Sequence, residues 1–127
     1  MKNQSIYDAA LRLLAESTVA GENADYEERA PFLLAAFCTE TAHLDSRYRH
    51  AADSEVVLRE AVCLPLEEEF PLSDRFTTAA ALYLAAMLIL DSDEERSDKL
   101  YAQYCDAIMR ISQAIPATLM PITDKYF

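Results

Sequence analysis

Apolar residues recur along this chain with a helical period in some stretches and lose it in others, and the alternation divides the sequence. Ile6, Ala10, Leu13, Leu14 and Ser17 fall at helical spacing, and Ser5-Ile6-Tyr7-Asp8 has the form of a capping box. Gly21 in "AGENAD" is the expected stop, because glycine takes the left-handed conformation that ends helices. A second helix is predicted through "YEERAPFLLAAFCTETAHLDSRYR", capped by Asp25, with Tyr26, Ala30, Leu33, Phe37, Leu44 and Tyr48 on its apolar face. Pro31 leaves two starts open, at Asp25 or only at Ala30 after a separate turn, since the residue before a proline avoids the α region.

From His50 to Leu72 the period fades. "SEVVLREAV" has the spacing of a short helix, which "CLPLEEEFPL" cannot continue, because Pro65 and Pro71 each break the hydrogen-bond ladder. Ser73 is then the expected cap of a third helix, and the stretch from Phe76 to Leu90 contains no charged side chain. A helix apolar all round must be surrounded. Its alanines let neighbours approach closely, with Leu82, Leu84, Leu88 and Leu90 filling the gaps. Ser92-Asp93-Glu94-Glu95 reads as a capping box for a fourth helix, with Leu100, Tyr104, Ile108, Ile111 and Ile115 on one face and Pro116 as its stop. Glu95 with Lys99 and Asp106 with Arg110 are favourable pairs on the opposite face. The tail, "ATLMPITDKYF", is apolar without a helical period.

The pattern therefore predicts an all-α fold, a small bundle of four main helices with an extended segment between helices 2 and 3. Residues 1–116 form the bundle domain and 117–127 a C-terminal tail or assembly arm. Composition agrees: 127 residues suit one modest core, and one glycine with five prolines gives little material for the tight turns of a sandwich or barrel. The start, "MKNQSIYDAALRLL", has no apolar core of a secretion signal, and the run from Phe76 to Leu90 is too short for a bilayer, which needs about 20 apolar residues. A cytoplasmic protein without a membrane partner is expected. Cys38, Cys63 and Cys105 are odd in number and lack metal-ligand spacing, so they read as reduced, mostly buried small hydrophobes.

Candidate chemistry is sparse. Glu40-Thr41-Ala42-His43 has the Glu-x-x-His spacing of di-iron bundles, but such a site needs two of these motifs and two further glutamates. The chain has two histidines, Arg47 stands three before His50, and the oily helix offers no carboxylate. Glu40 and His43 read as a helix-surface pair, with no metal and no cofactor. Cys38 and His43, five apart on one helix, point roughly 140° from one another and do not suit a nucleophile and its base. No phosphate loop, nucleophile elbow or zinc-protease motif occurs. Glu67-Glu68-Glu69 reads as a solvated acidic loop. The net charge of −11 argues against sequence-specific nucleic-acid binding. It suits a surface that repels DNA and lets it slide past.

The second half, from "LPLEEEFPLSDRF" through "AAALYLAAMLILDSDEERSDKLYAQYCDAIMRI", resembles the small helical head-to-tail connector (head-completion) proteins of tailed bacteriophages and prophages. In that family an extended segment leads into an Ala/Leu-rich helix, then acidic residues, then a helix with paired aromatics. The matching positions are Leu66, Pro71, Leu72, Asp74 and Arg75; then Ala81, Leu82, Leu84, Ala85, Ala86 and Leu88; then Leu100, Tyr101, Tyr104, Ala107 and Ile111. The resemblance implies a structural, non-enzymatic role in the virion: self-association into a ring beneath the portal, extending the DNA channel and docking portal or tail proteins. Leu64, Leu66, Phe70, Met120, Ile122, Tyr126 and Phe127, apolar without a period that buries them, are the candidate interaction residues. The competing reading is a small cytoplasmic adaptor or regulator that binds a peptide or ligand in a helical groove.

Overall fold

A computed structural model describes residues 1–51 (side chains through 47) and 62–114. The protein is a small all-α bundle of four helices: α1 (Asn3–Leu13), α2 (Ala24–Ala51), α3 (Thr77–Leu88), entered through a 3-10 turn at Asp74–Phe76, and α4 (Glu94–Gln113). The predicted short helix over "SEVVLREAV" lies mostly outside the described residues, as does Ile115.

α3 is the hub. Every residue from Ala79 to Ala86 is buried, as is Leu88, and the helix packs against α1, α2 and α4. Ala79, Ala80, Ala85 and Ala86 are fully enclosed, so the neighbouring backbones come close. One such close contact is made by Ser97 of α4, whose buried hydroxyl donates to the Ala86 carbonyl at 2.8 Å. Leu84 and Leu88 are 0% exposed, as a helix apolar all round demands. Leu90 is an exception to the expected filling. α3 ends at Leu88, and Leu90 sits in the following turn, 47% exposed.

The helix ends differ from the sequence expectation in instructive ways. α1 begins at Asn3 rather than at a Ser5 cap, and its N-cap, Lys2, makes no side-chain bond. The backbone of the extended segment does that work: Asn3 N–H donates to Glu68 O at 2.9 Å and Gln4 N–H to Leu66 O at 2.8 Å. Phe70 N–H in turn donates to Met1 O, and Lys2 forms an isolated antiparallel bridge with Glu69. α1 then stops well before Gly21. Ala15 takes φ 58°, its N–H donates to Arg12 O, and Glu16 N–H donates to Leu11 O, the two bonds of a Schellman stop. Alanine there fills a position that glycine occupies without a Cβ penalty.

α2 starts at Ala24 and runs straight through Pro31, the earlier of the two starts the sequence left open. Proline supplies no N–H to the ladder there. The Pro31 carbonyl accepts a bond from Leu64 N–H at 3.0 Å, which ties the extended segment to α2. Asp25 lies in the first turn rather than at the cap, and its carboxylate pairs with Arg29. The inward face of α2 is Ala30, Leu34, Phe37, Thr41, Leu44 and Asp45, with Leu33 and Tyr26 only half-buried. α4 is capped by Asp93, one residue after the Ser92 expected, its carboxylate accepting from Arg96 N–H at 3.1 Å. The Glu95–Lys99 pair forms on the exposed side of α4, at 3.6 Å.

Two arginines close helix C-termini. Arg29 donates to Leu88 O at the end of α3 (2.9 Å) and Arg96 donates to Leu13 O at the end of α1 (3.0 Å). Each guanidinium satisfies a carbonyl that the helix leaves unpaired and sits at the negative end of its dipole.

Leu84→Ala removes a fully enclosed side chain from the hub and is expected to cost about 2–5 kcal/mol in chemical denaturation. Unfolding indistinguishable from the parent would contradict the hub arrangement. Ala15→Gly relieves the left-handed alanine and is expected to stabilise the protein by about 1 kcal/mol, read from the same denaturation curves. A destabilised glycine variant would contradict the stop described for α1.

Candidate interaction surfaces

The residues of the extended segment divide by where the backbone bonds turn them. Leu66 and Phe70 are buried at 8% and 7% exposure, part of the core cluster, and Leu64 is half-buried against it. The expectation that Leu66 and Phe70 await a partner is therefore corrected: the bonds to Met1, Asn3 and Gln4 fix the segment on the end of α1 and turn both side chains inward. Phe70 lies over Phe37 of α2, ring centroids 6.4 Å apart. Met120, Ile122, Tyr126 and Phe127 lie outside the described residues.

Phe37 is the centre of an aromatic cluster that joins three helices and the segment. Its centroid is 5.8 Å from Tyr83 of α3 and 6.0 Å from Tyr104 of α4, and Tyr83 and Tyr104 meet at 5.1 Å. Burial pushes both phenols above their ordinary range, and the Glu40 carboxylate adds to the effect. Burial also pushes the Tyr7 phenol up to about 12, helped by Glu27 and Asp8.

Groups that sequence reasoning singled out for chemistry are dispersed. Glu40 and His43 are both exposed on α2. Cys38 is half-buried, and burial, with Asp45 beside it, pushes its thiol up to about 12, far from a nucleophile's value. Cys63 and Cys105 are exposed, a correction to the expected burial. Cys105 follows Tyr104, and one residue turns a helical side chain about 100° away from the stripe of Ser97, Leu100 and Tyr104 that faces the core. Among the described residues no group of three or more His, Cys, Asp or Glu is placed to hold a metal ion. Asp45 is a carboxylate that the pattern did not reveal. It is 0% exposed and accepts from both the N–H (3.0 Å) and the hydroxyl of Ser73, so Ser73 fastens α2 to the entry of α3 instead of capping the helix with its own oxygen.

Among the described residues, two apolar surfaces on different elements stand out on the acidic bundle. One is a groove of about 620 Å³ between α1 and α3, with Ile6 and Ala9 on one side, Ala81 and Leu82 on the other, and exposed Met1, Leu13 and Arg12 along the rim. The other lies on the outer face of α2, a shallow hollow of about 470 Å³ formed by Phe32, Ala36, Thr39, Glu40 and Val62. Phe32 is 52% and Val62 81% exposed. Phe32 was missed in the sequence, yet the signal was there: two residues from Ala30 is about 200° around the helix, so an aromatic stands opposite the buried stripe. Among the described residues no helix is long and apolar enough to cross a membrane. No protein-family model, curated protein or solved structure matches the chain.

The buried phenols and thiol generate a pH dependence. Tyr7 and Cys38 hold their protons more tightly when folded, so the stability they contribute is intact below their ordinary values of 10.0 and 9.0 and is lost as pH climbs toward about 12. Alkaline melts are expected to show that loss, and alkylation of the native protein should modify Cys63 and Cys105 well before Cys38. Equal labelling of all three thiols, or stability that stays level through the alkaline range, would contradict the burial described.

Proposed function

We propose that this chain is a structural protein of a tailed-phage or prophage particle, a head-tail connector that acts through protein-protein contacts in a ring at the portal. The observation that carries the reading is the pair of separate apolar surfaces, the α1–α3 groove and the Phe32–Val62 hollow, on different elements of one bundle. A ring is built from heterologous contacts, so each subunit needs two different surfaces, one for each neighbour or for the portal and tail. The resemblance of residues 64–111 to connector proteins supports the same reading. The net charge of −11 supports it too, since a channel wall that conducts DNA must repel rather than grip it. In this reading the protein works in the host cytoplasm during assembly and then in the virion.

The groove also favours a second reading. A concave apolar surface of about 620 Å³ between two helices is the geometry in which an adaptor holds an amphipathic peptide. The two readings part in one experiment. Deleting the gene from an inducible prophage should yield DNA-filled heads without tails, with the chain itself found in parental particles by mass spectrometry. Intact infectious particles from the deletion strain would overturn the connector reading.

A further inference from the structure

The α1–α3 groove has apolar walls, one arginine, Arg12, at its rim and no occupant from the described residues. We propose that it receives residues 115–127 of a second copy of this chain. The inference rests on the self-association in the reading above and names the surfaces that meet. The groove follows α1 from Ile6 to Leu13, a rise of roughly 10 Å. Thirteen residues reach roughly 40 Å when extended, enough to lie along it and to bridge two subunits. The segment carries Leu119, Met120, Ile122, Tyr126 and Phe127 for the apolar walls, and Asp124 to meet Arg12 at the rim.

The thinning burial of α4 toward its end favours a tail shared with a neighbour. Its buried residues are Ser97, Leu100 and Tyr104, and from Cys105 to Ala114 no residue is buried, with Met109 59% exposed. Over the last nine residues of α4, roughly 14 Å of helix, contact with the core thins to Ala107, Ile108 and Ile111, each only half-buried. In this proposal the residues that follow α4 occupy the groove of the next subunit. The same tail-to-groove contact, repeated, is heterologous and closes a ring when the rotation allows.

The test uses the full chain with a photoreactive benzoylphenylalanine at Tyr126, mixed as nitrogen-14 and nitrogen-15 preparations. The expected result is cross-links that pair the two isotopes and map to peptides containing Ile6–Leu13 or Thr77–Leu82. Ala9→Glu should abolish them by placing a charge on the groove wall. Exposed Arg12→Glu should reduce them without threatening the fold. Cross-links within single chains, cross-links to other surfaces, or none at all would overturn the assignment. Because the isolated chain is used, such a failure leaves the connector reading to the particle experiment.

Discussion

Everything in this structure answers to one constraint: α3 has no polar face. Desolvating an apolar helix on every side drives the assembly, and it needs a neighbour in each direction. α1, α2 and α4 supply them. The alanines decide how close those neighbours come, and the leucines decide how the remaining space is filled. Between α4 and α3, the buried hydroxyl of Ser97 donates to a carbonyl of α3.

Burial alone does not fix register, and the polar bonds of this protein stand at element ends where they do. The backbone carbonyls of Leu66 and Glu68 cap α1, Asp45 holds Ser73 at the entrance to α3, and Arg29 and Arg96 close α3 and α1. The extended segment is thereby part of the bundle. Its two phenylalanine neighbours, Phe70 and Phe37, carry that attachment into the aromatic cluster shared by α2, α3 and α4.

The fold class, the four helices and the centrality of α3 were legible because they rest on periodicity and on the absence of charge, both local properties of the sequence. The ends of α1 were not. Its start is set by carbonyls more than sixty residues away, and its stop by an alanine in a conformation that composition assigns to glycine. Leu66 and Phe70 illustrate the same limit. A segment without a period is buried here through hydrogen bonds to another element, which no count along the segment reveals. Asp45 looks like any helix carboxylate until its partner Ser73 is placed. Phe32, by contrast, was readable as an aromatic on the wrong side of α2.

Moving Leu66 and Phe70 from free arms into the core changes what the functional account asks of the molecule. Among the described residues, the apolar surfaces open to a proposed partner are the groove and the outer face of α2. The central claim is thus that the segment and the hub form one cooperative unit that presents those surfaces rigidly. Native-state hydrogen exchange measures this directly. The account predicts that the amides of Asn3, Gln4 and Phe70 exchange only with global unfolding, at the free energy read for the interior amides of α3. Exchange of those three amides at the rate of an exposed loop, while α3 stays protected, would show the segment to be a detachable arm and would contradict the account.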